Sequence, residues 1–308
     1  MTDPIETSAQ PPIAEAHVRL AKRGAAELTR LTSEPLTPGL HLVATPIGNL
    51  GDITLRALAV LARADVIYCE DTRHSLTLMT HFGITTHLKP YHEHNAERER
   101  PKILAELARG RAVALISDAG TPLISDPGFK LAREAILEGH HVESLPGPSA
   151  ALVALTVAGL PTDAFHFAGF LPPRQAARRA RIAELAAVKA TLILYEAPSR
   201  MAEALADLAH VLGPRPAAVA RELTKRFETV ERGSLAELSA RYASQETIRG
   251  EFVIVVGAAV AGDVSDDEII AALTAALKSM TLRDAARMVA DQLGVPKSRV
   301  YDIGIGIK

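Results

Sequence analysis

The chain has 308 residues, of which 48% are hydrophobic and 23% are charged, and its formal net charge is −2. A chain of this length can bury a full core, and the composition is ordinary for a soluble globular protein. The charge balance argues against a uniformly basic nucleic-acid-binding protein, although a local basic patch remains compatible with it. The single cysteine, Cys69, excludes an internal disulfide and a cysteine-rich metal site.

Membrane and targeting segments are not evident in the sequence. No apolar run approaches the roughly 20 residues that a membrane-spanning helix needs. The first residues also lack the basic and apolar regions of a signal peptide. We therefore expect no membrane contact and a cytoplasmic location.

Residues 1–38 are interpreted as an extension outside the core. The polar residues 1–12 include three prolines, which is typical of a disordered segment. A helix is predicted from Ile13 to Leu31, because leucines recur near one face. The segment from Glu34 to Gly39, which contains two prolines, ends this helix.

Strand and helix patterns alternate over residues 39–148, the predicted N-terminal α/β domain. Nearly continuous apolar runs predict strands that are buried on both faces. Strands that alternate with helices imply a parallel sheet covered by helices on both sides. The predicted strands are Leu40–Ala44, Asp65–Cys69, His87–Tyr91, Ala112–Ile116 and His141–Leu145.

Residues 149–258 form the predicted second α/β domain, after the break Pro146-Gly-Pro148. Ser149 is expected to cap a helix that ends near Gly159. Only one short helix separates the last two strand patterns, so we expect a mixed sheet with some antiparallel pairing. The predicted strands are Phe165–Gly169, Leu192–Glu196, Ala217–Glu222, Thr229–Gly233 and Glu251–Gly257.

A small helical tail is predicted at residues 266–308, after a linker of small and polar residues. Two helices, at 267–279 and 281–292, precede the turn Leu293-Gly-Val-Pro296 and a last helix from Lys297. A helix, a turn with glycine and a second helix are the outline of a helix-turn-helix. The fold class is therefore α/β, with two domains and a helix-turn-helix-like tail.

The loop after the first strand, residues 44–52, contains two glycines. Glycine permits a tight turn and a close approach of the backbone to a ligand. The loop is neither a GxGxxG motif nor a P-loop with lysine, so a dinucleotide or ATP phosphate site is poorly supported. A purely structural turn is an equally good interpretation.

The second strand ends in Glu70, Asp71 and Arg73. Open α/β sheets place their ligand sites at the carboxyl ends of strands. A helix N-cap with a surface ion pair would account for one acid but would leave the other acid and the arginine unexplained.

The third strand ends in His92, Glu93 and His94. Two histidines at this spacing can point the same way on a strand, but no third ligand is evident nearby. The pattern also differs from the HExxH helix motif. We favour polar residues on a substrate-facing loop and expect no metal.

The stretch Ser117–Gly128 links the fourth strand to the next helix and is called the central loop below. It contains two glycines, two prolines and two aspartates. A strand that ends in a rigid loop before a helix is a usual place for a small ligand. The loop has no lysine or arginine, which phosphate-binding loops usually have. Its carboxylates suit a cationic or hydroxylated ligand, such as a sulfonium cofactor with ribose hydroxyls.

Four arginines, Arg174, Arg178, Arg179 and Arg181, cluster on one predicted helix. A solvated charged face is the common interpretation of such a cluster. No acidic residue is interleaved before Glu184, and this asymmetry makes contact with a polyanion plausible.

Seven motifs occur in an order that resembles one known family. They are Thr45–Thr54, Cys69–Arg73, Tyr91–Asn95, Ser117–Gly128, Pro146–Ala150, Tyr195–Arg200 and Arg221–Lys225. Together they resemble the small-subunit ribosomal RNA methyltransferase I family. This family belongs to the tetrapyrrole methylase-like (class III) S-adenosylmethionine-dependent methyltransferases. The resemblance covers about residues 39–257 and, more weakly, the tail.

The resemblance implies a two-domain methylase that binds S-adenosylmethionine in the cleft between its domains. It implies methylation of a cytidine 2′-hydroxyl in the decoding region of small-subunit (16S) ribosomal RNA. A homodimer is also implied, with the small ribosomal subunit as partner. Tetrapyrrole relatives typically have Gly-Gly-Asp-Pro where this chain has Ala119–Pro122, which favours the RNA branch. The implied cofactor contacts are Pro46, Ser117, Asp118, Ala119, Gly120, Thr121, Ile124, Ser149, Ala150, Tyr195, Ala220 and the Glu251 strand.

A 2′-hydroxyl is a weak acid, so its methylation should need a base or a polarising group. The candidates are Glu70, Asp71, His92 and Glu93, and we prefer a carboxylate of the Glu70–Asp71 pair. Arg73 is expected to hold a phosphate next to the target nucleotide. The further candidates for RNA contact are Arg174, Arg178, Arg179, Arg200 and Lys225.

Three other functions are weighed against this hypothesis. A methylase of tetrapyrroles would share the fold and the cofactor, but it would need neither the arginine cluster nor the helical tail. A non-catalytic RNA-binding assembly factor of the same fold would not need an intact central loop. A nucleotide-dependent oxidoreductase is disfavoured because the GxGxxG motif is absent.

Overall fold

The computed structural model of the chain describes residues 13–258, 266–278, 280–293 and 295–307. The disorder predicted for residues 1–12 falls outside these ranges, as does most of the predicted linker, at residues 259–265. Within the described ranges, no helix is long and apolar enough to cross a membrane.

The extension forms one long helix, α1 (Ile13–Ser33), two residues longer than predicted. It contacts α2 (Leu55–Arg63). Leu28 and Leu31 in its last turns are partly buried, whereas Leu20 is exposed. The helix therefore lies on the outer surface of the first α/β unit.

The first sheet has five parallel strands in the order β3-β2-β4-β1-β5. Its strands are β1 (Gly39–Val43), β2 (Val66–Cys69), β3 (Leu88–Pro90), β4 (Ala112–Ile116) and β5 (Val142–Leu145), and the connecting helices are α2, α3 (Thr72–Phe82), α4 (Ala96–Ala108) and α5 (Phe129–Leu137). Apolar side chains pack on both faces of the sheet. The predicted parallel sheet is confirmed.

The order of the strands brings the polar loops to one edge of the first sheet. Val43 of β1 is paired with Ile116 of β4, so the first loop and the central loop leave the sheet side by side. The chain moves to one side of the sheet after β1 and to the other side after β4. Open α/β sheets bind their ligands at such a switch point.

β3 is shorter than predicted and lies at the edge of the sheet, where the missing N–H of Pro90 costs no hydrogen bond to β2. Its flanks still bond to β2: the Ile67 N–H donates to the His87 carbonyl at 2.9 Å, and the Tyr91 N–H donates to the Cys69 carbonyl at 2.7 Å. The polar residues after β3 are therefore held at the same edge as those after β2.

The second sheet is mixed, with the order β6-β7-β10-β8-β9. Its strands are β6 (Phe165–Phe170), β7 (Thr191–Glu196), β8 (Pro216–Arg221), β9 (Thr229–Ser234) and β10 (Phe252–Val256), and its helices are α6 (Ala150–Ala158), α7 (Gln175–Ala186), α8 (Met201–Leu212) and α9 (Leu235–Ala243). β6 and β7 are parallel, and the other neighbours are antiparallel. The predicted mixed sheet is confirmed.

The two α/β units share one apolar cluster. Ile47, from the loop after β1, packs in the same cluster as Ala154 and Leu155 of α6 and Ile193 and Val253 of the second sheet. This contact sets the first loop against the second unit.

The tail consists of α10 (Asp266–Ala276), α11 (Leu282–Leu293) and α12 (Lys297–Ile307). These helices enclose their own apolar core, in which Ile269, Leu273, Val289 and Val300 are buried. The three-helix arrangement agrees with the predicted helix-turn-helix outline.

Candidate functional site

A cavity of about 400 Å³, called the first cavity, lies between the central loop, the start of α6 and the second sheet. Its volume is typical of a site for a small molecule or cofactor. It is lined by Ile47, Asp118, Ala119, Gly120, Thr121, Ile124, Ser125, Asp126, Ser149, Ala150, Phe170, Tyr195, Glu196, Ala197, Pro198, Leu223, Gly250, Glu251, Phe252 and Val253.

The first cavity is acidic. Asp118, Asp126, Glu196 and Glu251 line it, and none of the described lining residues is a lysine or an arginine. Glu196 and Glu251 are ion-paired with Arg200 and Lys225, which do not line the cavity, so Asp118 and Asp126 are the carboxylates that repel a phosphate and attract a cation. The expectation that the central loop suits a cationic or hydroxylated ligand agrees with this geometry.

The central loop is held in a strained backbone conformation. Leu123 and Ser125 have φ values of 72° and 64°, in the left-handed region that disfavours residues with a side chain. Gly128, at φ 130°, ends the loop where an added Cβ would lie 2.9 Å from Leu115. The loop is also tied to the first loop, because Thr45 and Gly120 exchange two backbone hydrogen bonds of 2.9 and 3.0 Å.

A second strained loop faces the central loop across the first cavity. Glu222 and Thr224, after β8, have φ values of 51° and 65°. Leu223 between them lines the cavity. Among the described residues, all non-glycine residues with positive φ lie in these two loops. Such strain persists where the surrounding structure imposes it, and it clusters at functional sites.

Asp126 and Glu196 are site residues that the sequence reasoning missed. Burial raises the pKa of Asp126 to about 6, and the nearby charge of Glu70 adds to the rise. Burial also raises the pKa of Glu196, which is 3% exposed. Its Oε2 atom has no hydrogen-bond partner among the described residues. The sequence places Asp126 in the central loop, but it does not predict that this side chain lines the cavity.

Aromatic side chains form one wall of the first cavity. Tyr195 lies edge-on to Phe167, with ring centroids 4.9 Å apart, and to Phe170, with centroids 5.7 Å apart. Tyr195 and Phe170 line the cavity. Such a wall offers a flat apolar surface for a planar ring of a ligand.

The predicted cofactor residues fall into three groups. Eight single residues and the predicted Glu251 strand line the first cavity: Asp118, Ala119, Gly120, Thr121, Ile124, Ser149, Ala150 and Tyr195, with Glu251, Phe252 and Val253 from the strand. Pro46 and Ser117 line a neighbouring cavity. Ala220 is buried in β8 and lines neither, although its strand partner Val253 lines the first. Ser149 is at the N-cap of α6 as predicted, but its side chain makes no capping hydrogen bond.

The neighbouring cavity, called the second cavity, measures about 290 Å³. It lies between the first loop, the start of α3 and the end of β4. It is lined by Thr45, Pro46, Gly48, Leu50, His74, Ser75, Thr77, Leu78, Ile116, Ser117 and Asp118. Asp118 lines both cavities, and its Oδ1 accepts a hydrogen bond of 3.0 Å from the Asp71 N–H.

The carboxylates at the end of β2 differ in their surroundings. Asp71 caps α3 and accepts hydrogen bonds from the Arg73 backbone and guanidinium, which lower its pKa to about 2. Partial burial raises the pKa of Glu70, and the nearby charge of Asp118 adds to the rise. Glu70 is therefore the better proton acceptor of the two.

His92 and Glu93 lie at the same edge of the sheet, and their charges act on Glu70. Nδ1 of His92 is buried and has no hydrogen-bond partner among the described residues. None of the five predicted catalytic residues lines either cavity. In the described part of the chain, no group of three or more His, Cys, Asp or Glu residues is arranged to hold a metal ion.

Residues 39–239 match the family model described as Tetrapyrrole (Corrin/Porphyrin) Methylases. The chain belongs to the tetrapyrrole (corrin/porphyrin) methylase family. Residues 263–308 match a second model, described as the RsmI C-terminal HTH domain. The predicted helix-turn-helix-like tail is thereby confirmed.

Curated relatives of this methylase cover most of its length. The protein named "Ribosomal RNA small subunit methyltransferase I" of Mesorhizobium japonicum is 50% identical over 274 residues, which are 89% of this chain and 93% of that protein. The protein of the same name from Vibrio cholerae serotype O1 is 45% identical over 272 residues, which are 87% of this chain and 94% of that protein.

Solved structures show the same fold. Uroporphyrin-III-C-methyltransferase from Thermus thermophilus has a TM-score of 0.52 and 25% identity, and the match covers 72% of this methylase and 96% of that chain. Diphthine synthase has a TM-score of 0.56 and 16% identity, and the match covers 71% of this methylase and 89% of that chain. The predicted methylase-like fold class is confirmed.

Arg178 of the methylase does not lie on the surface. Its side chain is 1% exposed, and its Nε donates to Asp207, itself 1% exposed, at 2.6 Å. A second bond runs to Glu203 at 3.1 Å. Arg178 is therefore an anchor between α7 and α8 and no longer a candidate for RNA contact. The sequence shows the cluster of arginines but not which one faces inwards.

The other predicted RNA contacts are placed differently. Arg174 is exposed at the start of α7, and Arg179 is partly exposed and bonded to Asp207 at 2.6 Å. Arg200 is paired with Glu196 at 2.7 Å. Lys225 is paired with Glu222 at 3.1 Å and with Glu251 at 2.8 Å. Arg200 and Lys225 thus contact two acids of the first cavity.

Proposed function

We propose that this methylase transfers the methyl group of S-adenosylmethionine to the 2′-hydroxyl of a cytidine in small-subunit (16S) ribosomal RNA, near the decoding centre. The observation that carries the proposal is the acidic first cavity between two strained loops. Relatives named for the methylation of ribosomal RNA, at 43–50% identity, support the choice of substrate.

The first cavity suits S-adenosylmethionine in size and charge. Its acidic wall complements a sulfonium cation, and Phe170 and Tyr195 provide a surface for an adenine ring. The free Oε2 of Glu196 can accept a hydrogen bond from an amino or hydroxyl group of the cofactor. When bound, the cofactor supplies an electrophilic methyl group and leaves as S-adenosylhomocysteine. The loop from Asp118 to Thr121 holds it, together with Ser149 and Ala150.

Glu70 is the proposed proton acceptor. The reaction forms a bond between the methyl carbon and the 2′-oxygen, and the hydroxyl proton passes to a base. Glu70 lies beside Asp118, which lines both cavities, and its raised pKa brings it closer to neutral pH than an ordinary glutamate. The ion pair with Arg73 keeps Asp71 ionised and makes it a weaker base.

RNA is proposed to contact Arg73, at the strand ends of the first sheet, and Arg174, at the start of α7. Both side chains are exposed, and the guanidinium of Arg73 lies at the same sheet edge as Glu70. Guanidinium groups contact phosphates through paired hydrogen bonds. The target nucleotide has to leave its stack to bring its ribose to the site.

Methyl transfer can be tested on small subunits from cells that lack this protein. We expect the purified protein and S-adenosylmethionine to produce one new 2′-O-methylcytidine, located by mapping of 2′-O-methyl positions. Reactions with S-adenosylhomocysteine in place of S-adenosylmethionine are the control. Methylation of a porphyrinogen in place of RNA would refute the proposed substrate. Failure to bind S-adenosylmethionine in calorimetry would instead support a non-catalytic factor.

The homodimer and the cytoplasmic location stay predictions. Sedimentation equilibrium of the full chain tests the first, because a dimer has twice the mass of 32.8 kDa. Cell fractionation tests the second.

A further inference from the structure

The second cavity is a built polar pocket next to the proposed cofactor site. Ile116 and Leu78 are buried in its floor, and Pro46 and Leu50 contribute apolar surface from the first loop. His74 and Thr77, which also line it, are exposed on α3. Gly48, at φ 147°, forms part of the wall, and an added Cβ there would collide with the side chain of Lys225. Lys225 of the second unit therefore packs against Gly48, whereas the described lining residues all belong to the first unit.

Ser75 is an unusual residue of this pocket. It is 3% exposed, and its hydroxyl has no hydrogen-bond partner among the described residues. Within the described residues it interacts with the thiol of Cys69, whose pKa it acts to lower, and sulfur is too weak a partner to satisfy a buried hydroxyl. The other inward hydroxyls are satisfied: Thr45 donates to the Ser117 carbonyl at 3.1 Å, and Ser117 donates to the Gly120 carbonyl at 3.1 Å. A buried hydroxyl that faces a pocket without a strong partner is available to hydrogen-bond a ligand that enters it.

The chemistry of the lining selects the kind of ligand. No lysine or arginine is among the described residues that line the second cavity, so it is not built for phosphate. Apolar surfaces with a few hydrogen-bonding groups suit a flat, uncharged, polar ring. Enzymes that modify a nucleotide out of its stack hold its base in such a pocket, between apolar side chains and against polar groups that read its edge. A volume of about 290 Å³ is small for a macrocycle of four pyrrole rings.

We propose that the second cavity receives the base of the target nucleotide and that the Ser75 hydroxyl hydrogen-bonds the polar edge of a cytosine there. This inference rests on the proposed function. Asp118 lines both cavities, so a base in the second cavity brings its own ribose beside the wall of the first. In this proposal Ser75 determines the specificity for the base. Glu70, the proposed proton acceptor, lies near Asp118 at the ends of the strands.

The test uses the full chain, S-adenosylmethionine and small subunits that lack the modification. Ser75→Ala removes the hydroxyl, and Ser75→Leu fills the pocket. Thr80→Ala is the matched control, because Thr80 is exposed on the same helix and lines neither cavity. Each variant is assayed on subunits with cytidine and with uridine at the methylated position, and its affinity for S-adenosylmethionine is measured by calorimetry.

We expect Ser75→Ala to lower kcat/KM for the cytidine substrate about fivefold and to reduce the preference for cytidine over uridine by the same factor. Ser75→Leu should lower kcat/KM more than about 100-fold. Both variants should bind S-adenosylmethionine within about twofold of the wild-type protein, and Thr80→Ala should behave as wild type.

Two results would overturn the inference. If Ser75→Ala keeps the full preference for cytidine and Ser75→Leu keeps its turnover, the pocket does not hold the base. If either variant loses affinity for S-adenosylmethionine in proportion to its turnover, the pocket belongs to the cofactor. Should Ser75→Leu fail to fold, the alanine variant still decides through its cytidine preference. Absence of RNA methylation by the wild-type protein would instead refute the proposed function.

Discussion

The two cavities share Asp118 in their walls but differ in chemistry. The first is the larger, at about 400 Å³ against 290 Å³, and is lined by four carboxylates and an aromatic wall. The second has one carboxylate and several hydroxyl groups. Among the described residues, the non-glycine residues with positive φ lie in the loops of the first, whereas the second is built partly on the regular helix α3.

In the proposed assignment, this difference separates the binding of a charged cofactor from the recognition of a neutral base. A cation is attracted by carboxylates over several ångströms, so its site depends on charge. A base is recognised by short hydrogen bonds and by shape, so its site depends on one hydroxyl and a closed wall. Substitutions on the two sides should therefore change different measured quantities.

The largest expected effect concerns the substrate side. Glu70→Gln should lower kcat about 100-fold or more, because general bases contribute rate factors of that size. The affinity for S-adenosylmethionine should stay within about twofold, since Glu70 does not line the first cavity. Single-turnover methylation of small subunits and calorimetry measure the two quantities.

Glu97→Gln, an exposed glutamate in the first turn of α4, is the matched control for Glu70→Gln. Equal losses of turnover and of cofactor affinity in Glu70→Gln would contradict the role assigned to Glu70.

The shared wall should affect both sides at once. Asp118→Ala removes a carboxylate of the first cavity and the acceptor of the Asp71 N–H. We expect the Kd of S-adenosylmethionine to rise about 30-fold, and the KM for RNA to rise as well. Asp118→Asn keeps an acceptor oxygen and should lose less of both. A change in the KM for RNA without a change in the Kd of S-adenosylmethionine would show that Asp118 does not contact the cofactor.

The sequence was sufficient for the strands and for the parallel or mixed character of each sheet, but not for the order of the strands. Buried strands such as Ala112–Ile116 are continuous apolar runs. The parallel sheet follows from the alternation of strands and helices, and the mixed sheet follows from the single short helix between its last two strands. The polar residues that follow β2 and β4 could be assigned to one edge because parallel strands all end there. Local patterns thus predicted which loops meet.

Side-chain direction could not be predicted in the same way. Arg178 and Arg174 look alike in the sequence, yet Asp207, 29 positions after Arg178, draws only the first into the interior. Asp126 and Glu196 line the first cavity because the fold brings the central loop and the end of β7 together, which no local pattern encodes. In the sequence, Ser75 is one serine among others on a predicted helix, and only the folded structure shows that it lines the second cavity.

Asp126 gives a smaller effect that tests the charge of the first cavity. Asp126→Asn should weaken S-adenosylmethionine about tenfold and neutral S-adenosylhomocysteine less than twofold. In the wild-type protein, S-adenosylmethionine should bind more tightly as the pH rises through about 6, the raised pKa at which Asp126 ionises. Calorimetry with both ligands between about pH 5 and about pH 8, a range that brackets the pKa of Asp126, checks this.

The same substitution should change stability in the opposite sense. The pKa of Asp126 is raised above its usual 3.8, so the folded state favours the protonated carboxyl, and ionisation costs stability as the pH rises through about 6. Asp126→Asn should therefore unfold at a higher temperature than the wild-type protein above that pH, with the difference disappearing in acid. A constant difference in Tm at all pH values would show that the carboxyl of Asp126 is not the cause.

The smallest expected effect concerns the arginines of α7. Arg174→Ala should lower RNA affinity about three- to fivefold and reduce the salt dependence of binding by about one ion, because an exposed arginine releases one counterion at a phosphate. Arg133→Ala, on the exposed side of α5, is the control for loss of a surface arginine.

Arg178→Met should leave the salt dependence unchanged and lower the melting temperature instead, because it removes the buried partner of Asp207. Filter binding of RNA across a salt series, with thermal unfolding of each variant, measures both quantities. Equal changes of salt dependence in Arg174→Ala and Arg133→Ala would remove α7 from the RNA surface and leave only the strand-end side, around Arg73, to contact the substrate.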